Sequence, residues 1–238
     1  MGRAYEVRKA SIQKTGAAKA KLYSMYAREI YDAAKKGGTD PIGNASLRRL
    51  IEKAKKDQVP GDIIKRAIDK VSSGVDESYE HARYEMFGPA GSTLIVDCLT
   101  DNVNRTISSI RTALNKCKSK MGVTGSVSFN YDNNTVIGFK GMSEEETIDA
   151  LIEGGVDVED IERNDDVVVI YGNPTDFNAI HEAISAKLPN VSFEIDEISA
   201  WLPKETITLS GDDLELFERL TTMLDEIEDV QNVFHNVA

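Results

Sequence analysis

The sequence has little cysteine and no long apolar run. Its 238 residues include two cysteines, Cys98 and Cys117, which lie far apart in unlike surroundings. This usage argues against a disulfide framework and favours a reducing compartment. No apolar stretch approaches the roughly 18 residues that a membrane span needs, and the N-terminus lacks the apolar segment of a secretory signal. We therefore expect a cytoplasmic protein with no membrane partner.

The sequence also lacks the residue spacings of common catalytic and metal sites. The three histidines, His81, His181 and His235, are widely separated. The His-Glu pair at position 181 is followed by Ser185 where a zinc protease has its second histidine. The glycine-rich loop at residues 88–92 lacks the Gly-Lys-Ser/Thr end of a phosphate-binding P-loop. We therefore expect no enzymatic activity, no catalytic residue, no metal, no cofactor and no small-molecule substrate.

Charge is distributed unevenly along the chain. The net charge is −12, yet residues 1–71 hold 17 Lys+Arg against 8 Asp+Glu. Residues 72–238 hold the other 11 Lys+Arg and 32 Asp+Glu, a net charge of −21. A basic segment joined to an acidic body indicates a polyanionic partner for the basic segment. The alternative is that the basic helices only present solvated faces.

Three amphipathic helices are predicted in the basic segment. The first covers residues 17–36 and ends at Gly37, the second follows the turn at Asp40, and the third begins near Pro60. Apolar residues recur at helical spacing in each, which predicts a small bundle with a basic exterior. The predicted nucleic-acid-binding residues are Arg3, Arg8, Lys9, Lys14, Lys19, Lys21, Arg28, Lys35, Lys36, Arg48, Arg49, Lys53, Lys55 and Lys56.

The rest of the chain alternates predicted strands and helices. The sequence predicts a linker at residues 75–83. It also predicts strands at residues 93–99 and 123–131, with a helix between the two strands. From residue 135 the order is β-α-β-β-α-β, a ferredoxin-like arrangement, with a capping box at Ser143 and Glu146. A strand–helix–strand tail from residue 205 is suited to completing the earlier sheet. The predicted fold is α+β: a three-helix basic bundle, then two ferredoxin-like α/β domains, the last inserted into the middle one. The predicted domains are 1–74, 80–132 plus 204–238, and 133–203.

The stretch at residues 84–106 is a second candidate site. A Gly/Pro loop opens it, and Asp101 or Asn102 is suited to capping the helix that follows. Arg105 falls at the start of that helix, where the helix dipole disfavours a cation. Its partner is Glu85 or Asp101 within the fold, or an anion from outside. The predicted polar central patch comprises Glu85, Gly88, Pro89, Gly91, Asp101, Asn102, Asn104 and Arg105.

The same stretch resembles one protein family. YE-x-FGP-x-G at residues 84–91 and T-DN-x-NRT at residues 100–106 are similar to the YebC/PmpR family. Further similarity lies upstream, at Asp40-Pro41, Asn44, Leu47-Arg48, Ile51 and Lys53-Ala54-Lys55, and downstream, at Gly125-Ser126-Val127 and Val233-Phe234-His235-Asn236. The resemblance implies three domains, the middle one built from two separated pieces. One departure is Gly2-Arg3-Ala4-Tyr5, where many members have Gly-His-Ser-Lys-Trp.

The resemblance and the charge pattern together favour a non-enzymatic nucleic-acid-binding regulator of gene expression that binds DNA. Members of the family are described as probable transcriptional regulators, and mitochondrial relatives as translational activators. The resemblance therefore also implies an alternative, a ribosome-associated translation factor that assists elongation through difficult sequences such as proline runs. A protein–protein adaptor built on ferredoxin-like modules is a third hypothesis. No dimeric recognition-helix module is evident, and we expect a monomer.

Overall fold

A computed structural model describes residues 16–74 and 77–238. In this part of the chain there are seven α-helices and two four-stranded sheets, which confirms the α+β class. The helices are α1 (Gly16–Gly37), α2 (Ala45–Lys56), α3 (Gly61–Ser72), α4 (Val103–Lys116), α5 (Glu144–Glu153), α6 (Phe177–Lys187) and α7 (Gly211–Asp225). The strands are β1 (Glu80–Phe87), β2 (Thr93–Thr100), β3 (Lys120–Met121), β4 (Tyr131–Lys140), β5 (Asp160–Asn164), β6 (Val167–Gly172), β7 (Phe193–Pro203) and β8 (Val230–His235).

These elements form two compact units. The first contains the described residues up to Ser126 together with Leu209–Val233. The second contains Val127–Thr208 together with Phe234–Ala238. The second unit is thus built mainly from a continuous segment that interrupts the first unit in sequence.

The first unit begins with the three predicted helices, α1, α2 and α3. Their apolar stripes meet in one core, which includes the fully buried Ile30, Leu47 and Ala54. The junction between α1 and α2 is tight, because a Cβ atom at Gly37 would lie 2.6 Å from the side-chain amide nitrogen of Asn44. Asn44 in turn caps α2, since its side-chain oxygen accepts a hydrogen bond from the backbone N–H of Leu47 at 3.0 Å.

The sheet of the first unit has the strand order β3-β1-β2-β8. Strands β1 and β2 form an antiparallel hairpin at its centre, with Glu80 opposite Thr100 and Phe87 opposite Thr93. The linker predicted at residues 75–83 is therefore wrong from Glu80 onward. This part of the chain, with Glu80, His81 and Arg83, lacks the alternation of apolar residues that marks a strand in sequence. It is extended because β2 supplies its hydrogen-bonding partners.

The sheet of the second unit has the order β5-β6-β4-β7, and all its neighbouring strands are antiparallel. With α5 after β4 and α6 after β6, this is the ferredoxin-like arrangement that the sequence predicts. The core beneath the helices includes Ile137, Phe139, Leu151, Ile170 and Ile180, all nearly inaccessible. The sheet of the first unit does not have this ferredoxin-like strand order, because the β1–β2 hairpin forms its two central strands.

A strand predicted at residues 123–131 is wrong over most of its length. Ser128–Asn130 forms a short 3-10 turn, and the extended chain begins at Tyr131. Gly125 has φ +85°, in the left-handed region that a regular strand does not use. The polypeptide therefore turns at this point before it enters β4.

Candidate nucleic-acid interface

The outer face of α2 carries five of the predicted phosphate-binding cations. At about 100° per residue, these cations span about 160° of the helix circumference, opposite the buried Leu47 and Ala54. They are Arg48, Arg49, Lys53, Lys55 and Lys56. Because the apolar stripe fixes how α2 packs, the basic residues are directed away from the core. Glu52 is the only acidic residue within the helix.

Two of these cations have no intramolecular partner. The side chains of Arg48 and Lys55 are exposed and make no hydrogen bond or ion pair within residues 16–74 and 77–238. They are seven residues apart, so they lie on one line along the helix. The neighbouring α3 differs, because Lys65 pairs with Asp69 and Arg66 with Asp62. Positive charge is therefore more available on α2 than on α3.

The predicted cations of α1 differ in their surroundings. Lys19 is exposed and has no partner in the described part of the chain. Lys36 pairs with Asp32 at 2.7 Å, and the ammonium of Lys35 donates to the backbone carbonyl of Glu77 at 2.6 Å. Lys35 and Lys36 thus have internal acceptors, while Lys19 does not.

Two further α1 cations contact residues 225–229, which comprise the last residue of α7 and the segment that leads to β8. Lys21 donates to the backbone carbonyl of Asp225, and burial lowers the pKa of Lys21 below its ordinary value. Arg28 bonds Glu228 at 2.6 Å and Asp229 at 2.8 Å, with its side chain only 11% exposed. These contacts stabilise α1 against that segment and leave Arg28 little access to an external phosphate. Arg3, Arg8, Lys9 and Lys14 lie outside the described residues.

The predicted polar central patch does not form one surface. The loop with Gly88, Pro89 and Gly91 joins β1 to β2, whereas Asp101 and the residues after it follow the far end of β2. At about 3.3 Å per residue, the strand separates the two groups by about 23 Å. They are two separate features of the fold.

The loop at residues 88–91 is explained by its turn geometry. The N–H of Gly88 donates to the carbonyl of Ser92 at 2.8 Å, and the Ser92 hydroxyl donates to the carbonyl of Pro89 at 2.7 Å. A Cβ atom at Gly88 would lie 2.4 Å from that hydroxyl, which accounts for glycine there. Glu85, nearby on β1, is buried, and its carboxylate accepts the N–H of Gly125 at 2.7 Å.

At the other end of β2, Arg105 has two internal carboxylate partners. Asn102 caps α4, since its side chain accepts the N–H of Arg105 at 3.1 Å. The Arg105 guanidinium donates to Asp101 at 2.6 Å and to both carboxylate oxygens of Asp229 at 2.8 and 2.9 Å. Of the two internal partners predicted, Asp101 is found and Glu85 is not. Asn104 is exposed.

Asp229 is the centre of this cluster. Its side chain is 3% exposed and accepts hydrogen bonds from Arg28, Arg105 and the hydroxyl of Thr106, the last at 2.7 Å. Thr106 lies 2.8 Å from the hydroxyl of Thr100, which accepts the N–H of Asn102 at 2.9 Å. A chain of polar groups thus leads from the α4 cap to the buried carboxylate.

Electrostatics keep Asp229 ionised despite its burial. Burial acts to raise the pKa of Asp229, but the hydrogen bonds from Arg105 and Thr106 and the charges of Arg105 and Arg28 outweigh it. The pKa therefore lies below its ordinary value. The hydrogen bonds that Arg105 donates to Asp229 and Asp101 raise the pKa of Arg105 above its ordinary value. The cluster is a charge-balanced junction between α1, α4 and the start of β8.

Sequence reasoning did not identify Asp229. It is 124 residues from Arg105 in the chain, and it lies in an acidic segment whose composition predicts an exposed, solvated surface. The one signal was the unfavourable position of Arg105 in the first turn of α4, which requires a carboxylate but does not say which one.

Comparisons with known proteins cover nearly the whole chain. The family described as "TACO1/YebC protein N-terminal domain" matches residues 3–74, and "TACO1/YebC second and third domain" matches residues 79–237. The chain belongs to the TACO1/YebC family. This confirms the resemblance identified from the motifs at residues 84–91 and 100–106.

Relatives in the TACO1/YebC family match at full length. A "Probable transcriptional regulatory protein" of Marinobacter nauticus is 49% identical over 236 residues, 99% of this chain and 98% of the relative. A protein of Alteromonas mediterranea with the same description is 47% identical over 238 residues. The match covers 100% of this chain and 99% of the relative. The crystal structure of a conserved hypothetical protein from Aquifex aeolicus matches with a TM-score of 0.77 and 33% identity. It covers 94% of this chain and 92% of that one.

The described residues contain neither a membrane-spanning helix nor a cluster of metal ligands. None of the helices in residues 16–74 and 77–238 is long and apolar enough to cross a membrane. Across the same residues, no group of three or more His, Cys, Asp or Glu side chains is placed to hold a metal ion.

Proposed function

We propose that this TACO1/YebC family member is a nucleic-acid-binding regulator of gene expression, without enzymatic activity, that binds DNA through its basic first domain, residues 1–74. The observation that supports this most directly is the basic face of α2, where Arg48 and Lys55 are exposed without internal partners. The description of the relatives as probable transcriptional regulatory proteins points to the same role.

The chemistry of α2 is suited to phosphates. Lys and Arg neutralise the nucleic-acid backbone and release its counterions, which gives affinity with little dependence on sequence. Residues 72–238 have a net charge of −21 and repel a polyanion. Binding therefore requires that α2 faces the nucleic acid and that the acidic surfaces face away.

The acidic body favours one alternative, a ribosome-associated translation factor. A long free duplex passes close to many acidic residues, whereas a confined site on ribosomal RNA exposes only the part of the protein that enters it. In this alternative the same cations on α2 contact ribosomal RNA, and the protein assists elongation through difficult sequences such as proline runs.

Paired substitutions on α2 and α3 test the proposal. We expect Arg48→Gln with Lys55→Gln to weaken binding of the full chain to a random-sequence DNA duplex and to single-stranded RNA. The slope of log affinity against log salt should fall by about 1.4 to 1.8, since two phosphate contacts are lost. Lys65→Gln with Arg66→Gln is the matched control, because it removes the same charge from cations that are paired within α3. Equal effects of both pairs, or no binding by the wild type, would contradict the proposal.

Crosslinking in cells with sequencing of both DNA and RNA partners separates the alternatives. Enrichment of discrete genomic DNA supports the transcriptional form, and enrichment of ribosomal RNA supports the translational form. If neither nucleic acid is recovered while proteins are, the adaptor hypothesis is favoured instead.

A further inference from the structure

A second group of cations lies within the acidic part of the chain. Residues 102–131 contain five Lys+Arg and no Asp or Glu, although residues 72–238 as a whole hold 32 acidic residues. Arg105 is paired with Asp101 and Asp229, as described above. The other four cations are Arg111, Lys116, Lys118 and Lys120, and we call them the α4–β3 basic patch.

The fold gathers part of this patch around one groove. Arg111, Asn115, Ser119 and Lys120 line a groove between the C-terminal end of α4 and β3, and no carboxylate lines it. The groove on α7 contrasts with it, since three carboxylates, Glu215, Glu218 and Glu226, line that one against a single cation, Arg219. The two grooves therefore have opposite charge.

The four cations of the patch have no internal partner. The side chains of Arg111, Lys116, Lys118 and Lys120 are exposed and make no hydrogen bond or ion pair in the part of the chain that the structure describes. Most cations elsewhere in the acidic body are paired, and Arg219 on α7 is an exposed exception with no ion pair among the described residues. Lys140 bonds Asp166 and Glu194, Lys187 bonds Glu153, and Lys204 bonds Asp132. Unpaired cations amid an excess of acidic residues are available to an external anion.

The folding of α4 does not account for Lys118. Cys117 ends the helix, and the N–H of Ser119 returns to the carbonyl of Leu114 at 2.9 Å, the bond that defines a Schellman motif. Lys118 occupies the left-handed position of that motif, at φ +52°, where glycine is favoured. A lysine there is unfavourable for the backbone. The helix dipole explains Lys116 in the last turn, but it does not explain Arg111, Lys118 or Lys120.

We propose that the α4–β3 basic patch is a second contact surface for nucleic-acid phosphates, used together with α2. This inference rests on the proposed function and extends it to a second element. Arg111 offers a planar guanidinium that can bond two phosphate oxygens, Lys118 and Lys120 add point charges, and Asn115 adds an amide donor. Contacts of this kind position a backbone and do not read its bases.

Lys118→Gly gives an unusually clear test. Glycine removes the charge and also relieves the left-handed backbone, so thermal unfolding should move to higher temperature. If Lys118 contacts phosphate, binding should weaken in the same variant, and the salt slope should fall by about 0.7 to 0.9. A variant that is more stable yet binds more weakly cannot be explained by damage to the fold. A stabilised variant with unchanged binding would argue against a contact at this residue.

A triple variant of the full chain measures the whole patch. Arg111→Gln with Lys118→Gly and Lys120→Gln should lower the salt slope by about 2 to 3, for both random-sequence duplex DNA and random-sequence single-stranded RNA. Lys140→Gln with Lys187→Gln and Lys204→Gln is the control, because it changes the net charge equally on cations that are already paired. It should leave the slope unchanged.

The outcomes separate this inference from the proposed function. If the α2 pair lowers the slope while the triple variant behaves like its control, the patch is overturned and the proposed function stands. If both triple variants weaken binding equally, general charge accounts for the effect and the patch is again overturned. A wild-type chain that binds neither probe would overturn the proposed function and this inference with it.

Discussion

Arg105 has an unfavourable position that the structure compensates. It lies in the first turn of α4, where the positive end of the helix dipole repels a cation. Asp101, one turn away, and the buried Asp229 supply the opposing charge. Asp229 is itself tolerated in the interior only because Arg28, Arg105 and Thr106 satisfy it. The residues depend on each other, and this dependence favours a structural role for Arg105.

Replacing Arg105 tests that role. Arg105→Gln should lower the free energy of unfolding by about 1–3 kcal/mol, because buried Asp229 loses a charged donor. Asn104→Ala, at the exposed neighbouring position, should change it by less than about 0.5 kcal/mol. Urea unfolding of the two variants provides the comparison. Unchanged stability of Arg105→Gln together with weaker nucleic-acid binding would instead indicate a functional contact.

The depressed pKa of Asp229 predicts a dependence of stability on pH. A carboxyl whose pKa is lower in the folded state stabilises the protein above its unfolded pKa, about 3.9 for aspartate, and loses that contribution as pH falls through the folded pKa. Wild type should therefore be more stable than Asp229→Asn at neutral pH, and the difference should shrink below about pH 4. Chemical unfolding of both proteins across this range measures it. A difference that is the same at neutral and at strongly acidic pH would show that the charge of Asp229 is not the cause.

At the scale of elements, prediction succeeded where periodicity was strong. The apolar stripes of α1, α2 and α3 gave these helices to within a few residues, and Ser143 with Glu146 gave the start of α5 through the capping box that the structure contains. Strand β1 was not predicted, because Glu80 and His81 are extended only through pairing with β2. The turn before β4 was missed because Val127 looks strand-like and the geometry of Gly125 is not visible in composition.

The candidate site was predictable in composition and less so in arrangement. The basic face of α2 follows from its helical period alone. The separation of the 88–91 loop from Asp101 follows only once β2 is known to be extended between them. The internal partners of Lys21 and Arg28 come from residues about 200 positions away, and no local pattern signals such contacts.

The junction between α1 and α2 gives a prediction at the element scale. Gly37→Ala should destabilise the protein by about 1–3 kcal/mol, because the added Cβ would meet the side chain of Asn44 at 2.6 Å and disturb the cap of α2. Gly61→Ala is a matched control in the first turn of α3, where no atom lies within 4 Å of the added Cβ. It should be neutral or stabilising by up to about 1 kcal/mol. Thermal unfolding should move to lower temperature for Gly37→Ala and should stay unchanged or rise for Gly61→Ala. A loss of stability in both would point away from the Asn44 contact.

At the scale of the whole molecule, the unequal charge distribution has consequences for binding. Positive charge is concentrated in residues 1–71 and in the short α4–β3 basic patch, and the remainder is strongly acidic. Such a distribution attracts a polyanion to selected surfaces and repels it from the others. The acidic surfaces thus oppose non-specific association along a nucleic acid, which limits binding to geometries that keep them at a distance.

Substitutions in the acidic groove on α7 measure how strongly the acidic surface repels nucleic acid. Glu215→Gln with Glu218→Gln and Glu226→Gln removes three negative charges from one exposed helix face. Affinity for random-sequence DNA should rise at about 50 mM salt, because the long-range repulsion is weaker. The gain should disappear near 1 M salt, where charges are screened beyond about 3 Å. Affinity measured across this salt range for wild type and variant is the test. Weaker binding by the variant would mean that the acidic face of α7 contributes to holding the partner, through a cationic component of the complex, and that the repulsion assigned to it is wrong.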